Sequence, residues 1–84
     1  MSYEVFILKR AQKELAKIPQ QEQYKIREAI NNLAANPRPS GCKKLKGRPA
    51  WRIRVGVYRV IYEISDRKLI ITVINIGHRK DIYQ

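Results

Sequence analysis

The chain has 84 residues and carries 18 lysines and arginines against 7 aspartates and glutamates, a formal net charge of +11 at pH 7. Its hydrophobic fraction of 44% is enough for a folded core and excludes wholesale disorder. We therefore expect one small domain, residues 1–84, whose charge favours a polyanionic partner such as nucleic acid, with an anionic membrane surface or an acidic protein as alternatives.

The N-terminal part is predicted to hold one strand and two helices. Tyr3–Leu8 is β-branched and aromatic, which is typical of a strand. From Lys9 to Ile18, and again from Gln20 to Asn36, apolar residues recur every three or four positions, which indicates helices. Because only Pro19 separates them, they should form an antiparallel helical hairpin that ends before Pro37. The stripe of the first helix comprises Leu8, Ala11, Leu15 and Ile18.

The C-terminal half is predicted to form a three-stranded antiparallel meander. It follows a loop over residues 37–47 in which Leu45 is the expected inward anchor. The strand-like runs are Ala50–Val55, Val57–Ile64 and Leu69–Ile76. The last run is almost continuously apolar, so that strand should be central. The predicted fold is α+β, with a four-stranded sheet that carries both helices on one face.

Three arginines are expected to meet on the sheet face away from the helices. With a strand period of two, Arg52 and Arg54 point to the side opposite Ile53. A turn at Gly56 would return the chain and place Arg59 beside them. A guanidinium is flat, fork-shaped and permanently charged, so it suits phosphate oxygens. The sequence therefore predicts a phosphate-binding face.

Positive charge is concentrated around this hairpin. From Arg38 to Arg59 there are eight basic residues and no acidic one. This pattern favours a nucleic-acid interface, although a merely soluble basic surface is the plain alternative. The candidate RNA-binding residues of the loop are Lys43, Lys44, Lys46 and Arg48.

Cleavage of RNA by its own 2′-OH needs a base, an acid, and cations for the charge that builds on the phosphorus centre. Preorganised charge of this kind is commonly the largest catalytic contribution. Histidine is the residue type that ordinarily titrates near neutrality, so His78 is the candidate for proton transfer. Tyr83 could stack on a base. Each of these residues also has a structural alternative as a solvent-facing or core side chain. The candidate cations are Arg52, Arg54, Arg59 and Arg79.

No metal site or cofactor is expected, because one histidine, one cysteine and scattered acids do not make a metal constellation. Cys42 cannot form a disulfide within the chain, which fits a reducing cytoplasm. The N-terminus shows no signal-peptide pattern, and no apolar run approaches the ~20 residues that span a bilayer. We therefore expect a cytoplasmic protein without a membrane partner.

Four segments carry a family resemblance: Leu45–Gly47, Trp51–Gly56, Tyr58–Tyr62 and Gly77–Tyr83. Their combination of a Tyr-Arg step with a later Gly-His-Arg-Lys and tyrosine is specific, whereas either piece alone is common. Together they resemble the RelE/ParE toxin superfamily, and most of all its RelE branch, the messenger-RNA interferases of bacterial and archaeal toxin–antitoxin pairs. The resemblance covers nearly the whole chain.

The resemblance implies a metal-independent endoribonuclease that cleaves messenger RNA in the ribosomal A site by 2′-OH attack. It also implies neutralisation by a cognate RelB-like antitoxin, with a heterotetramer as one form the complex could take. Carried over by position, the family's basic pair falls on Arg52 and Arg54, its next-strand arginine on Arg59, its arginine after the final strand on Arg79, and its C-terminal tyrosine on Tyr83.

The chain departs from the best-known members at Arg52 and Arg54, where those proteins carry lysines. Arginine stays protonated in proteins and so does not serve as a general base. His78 is then the candidate to take over that role, as histidines do in some relatives. Two other functions stay open: a ParE-like inhibitor of DNA gyrase, and a non-catalytic RNA- or ribosome-binding module. The ParE branch generally lacks the full set of basic and tyrosine residues.

Overall fold

The computed structural model describes residues 2–78, and these form an α+β fold. The elements in chain order are β1 (Glu4–Ile7), α1 (Lys9–Ala16), α2 (Gln20–Leu33), β2 (Lys43–Lys44), β3 (Ala50–Val55), β4 (Tyr58–Ser65) and β5 (Ile70–His78). The five strands make one sheet in the order β1-β5-β4-β3-β2. β1 runs parallel to β5, and the other neighbours are antiparallel. The predicted fold class is confirmed.

The sheet has five strands instead of the predicted four, because part of the basic loop pairs with β3. Lys43 lies opposite Arg52 and Lys44 opposite Trp51. The Leu45 N–H donates to the Ala50 carbonyl at 2.8 Å and closes this small hairpin. Two lysines carry no strand signature of their own, so only the pairing with β3 makes them extended.

Both helices pack on the same face of the sheet, as predicted. Ala11 and Leu15 of α1 and Ile26, Ile30 and Leu33 of α2 are fully buried. They contact a set of strand residues whose alternation directs them to this face. The buried strand residues of this core are Ile53, Val60, Tyr62, Ile71, Val73 and Ile76.

Leu8 is an exception to the predicted apolar stripe, since it is 46% exposed. It precedes α1 with an extended backbone, and its N–H donates to the Val73 carbonyl at 2.9 Å. Its side chain therefore follows the alternation of β1 and points away from the helices. Leu8 therefore does not belong to the buried stripe of α1, and the predicted stripe is wrong at this residue.

A second, smaller apolar cluster lies on the sheet face away from the helices. The anchor Leu45 is buried there, as predicted, and it packs with Ala50, Ile61 and the half-buried Ile74. The opposite face of the sheet is therefore apolar at its centre and basic toward one end. Neither described helix has the length and apolar character needed to cross a membrane.

Candidate nucleic-acid interface

The turn between β3 and β4 brings two arginines together. It consists of two residues, and Gly56 adopts φ +62°, a left-handed conformation that favours glycine. This turn fixes the register so that Arg54 lies directly opposite Arg59. Gly77 lies opposite Arg59 on β5 and adds no side chain to that face. Local turn chemistry thus places two guanidinium-bearing residues side by side at the open end of the sheet.

Arg52 is the third member of this group and is nearly buried, with 7% of its surface exposed. It lies opposite Ile61, so its aliphatic stem packs beside the small apolar cluster. Burial, followed by the nearby charges of Arg54 and Arg59, lowers the pKa of Arg52 below its ordinary value. Strand alternation and register place the three arginines on one surface, the sheet face away from the helices, which we call the arginine face.

The arginine face holds positive charge without local neutralisation at two of its three residues. Within residues 2–78, neither Arg52 nor Arg54 forms an ion pair. The Nε atom of Arg52 is buried and has no hydrogen-bond partner in the described part of the chain. A buried Nε without a hydrogen bond costs folding free energy, and an anion bound to this guanidinium would offset that cost.

The loop cations flank the arginine face to different degrees. Lys43 lies next to Arg52 across the β2–β3 pair. The Nζ of Lys44 donates to the Arg48 carbonyl at 3.3 Å, inside the β2–β3 hairpin. Lys46 and Arg48 are exposed near the start of β3, about 20 Å along the strand from Arg54. Of these four predicted RNA-binding residues, Lys43 is the one adjacent to the arginine face.

Arg38, which contributes to the basic run in the sequence, has a structural role. Its guanidinium forms an ion pair with Asp66 at 2.9 Å and lies 5.0 Å from the centre of the Trp51 ring. The Tyr3 hydroxyl donates to the same carboxylate at 2.7 Å. The Arg38 and Tyr3 hydrogen bonds hold the pKa of Asp66 below its ordinary value.

His78 does not join the arginine face in this structure. It lies opposite Tyr58, on the side of the sheet that faces the helices, and the two rings meet edge to face at 5.7 Å between centroids. Together with Arg10 and Lys17 these rings line a separate cleft of about 370 Å³ beside α1. The alternation of β5 accounts for this placement, because His78 has the same parity as the buried Ile76.

Glu14 holds the end of β5 in place and was not singled out from the sequence. β1 ends at Ile7, so the outer edge of β5 beyond that point has no strand neighbour. The Ile76 N–H donates to the Glu14 carboxylate at 2.8 Å, and the Asn75 amide donates to it at 3.2 Å. Helix α1 thereby replaces the missing strand at this edge. No spacing pattern in the sequence predicts a contact between residues 14 and 76, which are 62 positions apart.

The two remaining candidates, Arg79 and Tyr83, lie outside the described residues. The structure therefore brings together Arg52, Arg54 and Arg59 with Lys43 at their side, and places His78 on the other side of the sheet. A basic surface of this kind can bind and polarise a phosphodiester.

Comparison with known proteins identifies the class to which this fold and basic surface belong. A family model described as the ParE toxin of the type II toxin–antitoxin system parDE matches residues 5–83. A curated relative from Methanocaldococcus jannaschii, named "Putative toxin RelE1", is 34% identical over 88 residues, which cover 100% of this chain and 98% of the relative.

Solved structures show the same fold. A chain of the archaeal RelE–RelB complex from Pyrococcus horikoshii matches with a TM-score of 0.85 and 28% identity, over 98% of this chain and 100% of that one. A chain of the Escherichia coli RelBE toxin–antitoxin complex matches with a TM-score of 0.80 and 26% identity, over 92% and 96%. The chain belongs to the RelE/ParE family of type II toxin–antitoxin toxins.

Proposed function

We propose that this toxin is a ribosome-dependent endoribonuclease that cleaves messenger RNA in the A site. In this proposal the 2′-OH next to the scissile phosphate loses its proton to water and bonds to the phosphorus. The bond from phosphorus to the 5′-oxygen of the next nucleotide breaks, and that oxygen takes up a proton from water. Arg52, Arg54 and Arg59 hold the phosphate and stabilise the charge that develops on its oxygens. The protein acts in the cytoplasm, where ribosomes and messenger RNA are found.

The observation that carries the proposal is the burial of Arg52 beside two further arginines. Like charges placed together lower stability, and burial of the Arg52 stem and Nε limits the water that can solvate this charge. A phosphate group would compensate both costs with charge-assisted hydrogen bonds. A purely structural surface gains nothing from grouped cations, whereas a surface that binds a phosphodiester uses them.

We further propose that a RelB-like antitoxin neutralises the toxin. The support is the similarity to chains solved as RelE–RelB and RelBE complexes. An antitoxin that covers the arginine face would block access of RNA to it.

A second candidate function is inhibition of DNA gyrase, since the family model that matches residues 5–83 is that of ParE toxins. In that case the basic surface would contact a protein target and no RNA bond would break. The retained group of Arg52, Arg54 and Arg59 supports RNA cleavage over this alternative.

Induced expression in a bacterial host, followed by primer extension on a translated message, separates the two functions. We expect growth arrest with new 5′ ends inside codons within minutes of induction, and no DNA-damage response. The same message with its start codon removed is the control, because a ribosome-dependent nuclease does not cut an untranslated RNA.

Growth arrest with intact messages and a DNA-damage response would contradict the proposal and favour gyrase inhibition. Arrest with cuts that also occur in the untranslated control would show a nuclease that needs no ribosome.

A further inference from the structure

A cleft of about 520 Å³ opens beside the arginine face, at the edge of the sheet where β2 has ended. One wall is the C-terminal half of α2, a second is the loop before β2, and the third is β3. We call it the edge cleft. Its lining includes Asn32, Leu33, Asn36, Ser40, Arg52 and Arg54.

Within residues 2–78, the backbone of Arg54 faces this cleft without a strand partner on that side. In an antiparallel pair the residues bonded to one neighbour alternate along the strand. The Ala50 carbonyl accepts from Leu45 on the β2 side, so Arg52 and Arg54 present their backbone groups to the same side. β2 covers Arg52 but ends at Lys43, which leaves the N–H and carbonyl of Arg54 at an open edge.

The chemistry of the lining suits one nucleotide. Ala29 and Pro39, which are both partly exposed, supply apolar surface on which the face of a planar ring can lie. The side chains of Asn32 and Asn36 make no hydrogen bond within residues 2–78, so their amides are available to both donors and acceptors on a ligand. The volume of the edge cleft, about 520 Å³, falls in the range of about 300–1,000 Å³ for small-ligand sites.

The charge of the lining selects the ligand class. Lys43, Arg52 and Arg54 line the cleft, and none of its lining residues in the described part of the chain is acidic. Arg52 is nine-tenths buried, and its Nε has no hydrogen-bond partner in the described chain. An anionic group next to a flat, hydrogen-bonding ring satisfies these features together, whereas an extended peptide without an acidic side chain would use the strand edge but leave the Arg52 charge uncompensated.

We propose that the edge cleft is a nucleobase subsite, which holds the base of a ribonucleotide whose phosphate lies on the arginine face. The Asn32 and Asn36 amides and the Arg54 backbone contact the edge of the base, and so set a base preference beside the scissile bond. The inference deepens the proposed function and rests on it for the choice of RNA as the ligand.

The test is nuclear magnetic resonance on the isotopically labelled full chain, titrated with AMP, GMP, CMP and UMP, and with inorganic phosphate as the reference ligand. We expect at least one nucleotide to shift the side-chain amide signals of Asn32 and Asn36 and the backbone N–H of Arg54. Inorganic phosphate should shift the arginine side-chain signals and leave the Asn32 and Asn36 amides unchanged.

Asn36→Ala should weaken binding of the preferred nucleotide about fivefold, the effect of one lost hydrogen bond, and leave phosphate binding unchanged. Asn31→Ala is the matched control, because Asn31 is an exposed neighbour on α2 that does not line the cleft. It should bind every nucleotide as the parent chain does.

The inference is overturned if the four nucleotides shift only the signals that inorganic phosphate shifts. It is also overturned if an extended antitoxin peptide shifts the Asn32 and Asn36 amides while no nucleotide does. The titration measures nucleotide binding independently of cleavage. If the nucleotides shift the Asn32 and Asn36 amides but the protein cuts no message, the nuclease proposal is wrong and the subsite proposal stands. Cleavage without base contacts would contradict the subsite alone.

Discussion

At the scale of single residues, the proposed chemistry depends on Arg52, an arginine whose position should lower stability. Arg52 packs against Ile61 and the apolar cluster around Leu45, and it does so beside two further arginines. Residues that are kept where they destabilise a fold are commonly functional. A substitution that removes the Arg52 charge should therefore raise the free energy of unfolding and lower the activity.

Arg52→Met should raise the stability of the isolated toxin while abolishing its toxicity. Methionine keeps the buried stem and removes an uncompensated charge, so the free energy of unfolding should increase by about 1 kcal/mol. For a chain of this length that corresponds to a rise in Tm of about 4–8 °C, measured by thermal denaturation. Arg48→Met, at an exposed hairpin position, is the control and should change Tm little. A lower Tm for Arg52→Met would show that the guanidinium stabilises the fold.

His78 provides a residue-scale test of proton transfer. Its ring lies against Tyr58 on the helix side of the sheet, across the strand plane from the arginine face. We therefore expect His78→Gln to retain the shape of the pH–rate profile for cleavage between pH 6 and 8. A flattened profile, with a rate at least tenfold lower, would instead show that His78 reaches the reacting atoms around the end of β5.

At the scale of elements, much of the fold could be predicted from the sequence. The period of two correctly placed Ile53 in the core and Arg52 on the other face, since that alternation is a property of each strand by itself. β2 was missed, because Lys43 and Lys44 become a strand only through pairing. The Glu14 contact and the edge cleft were missed for the same reason: they depend on which elements become neighbours.

Glu14→Ala should loosen the end of β5 without unfolding the sheet. The Ile76 N–H would lose a charge-assisted hydrogen bond at an edge that no strand covers, so its hydrogen exchange should accelerate about tenfold. Glu14→Gln should show a smaller effect, because its amide oxygen still accepts. Glu28→Ala, on the exposed side of α2, should leave the exchange of Ile76 unchanged. If the Ile76 N–H exchanges at the same rate in all three variants, Glu14 does not stabilise the end of β5.

At the scale of the whole molecule, the positive charges are unevenly distributed over the surface. Arg38 forms an ion pair with Asp66 and contacts Trp51, and Arg10 forms an ion pair with Glu14, so these two arginines are neutralised locally. Other basic residues are spread over the helices and the turn after β4, whereas the run from Lys43 to Arg59, which contains no acidic residue, lies on one edge of the sheet and its adjoining hairpin. Such a surface should guide the protein to the phosphate-rich ribosome over a long range.

Ribosome binding should weaken as salt rises, because each phosphate contact releases bound counterions. Three arginine–phosphate contacts predict a loss in affinity of at least about tenfold between 50 and 200 mM salt. Sedimentation of the toxin with ribosomes at a series of salt concentrations measures this dependence. Binding that is insensitive to salt would point to contacts with ribosomal protein in place of RNA.

The most direct test of the arginine face is single-turnover cleavage of a message held in the A site of purified ribosomes. We expect Arg54→Ala and Arg59→Ala each to slow cleavage about 100-fold or more with an unchanged Tm, as for other losses of preorganised charge. Arg67→Ala, in the exposed turn after β4, should cleave at the parental rate. If both arginine-face variants cleave as fast as Arg67→Ala, these guanidinium groups do not stabilise the reacting phosphate and the account is wrong.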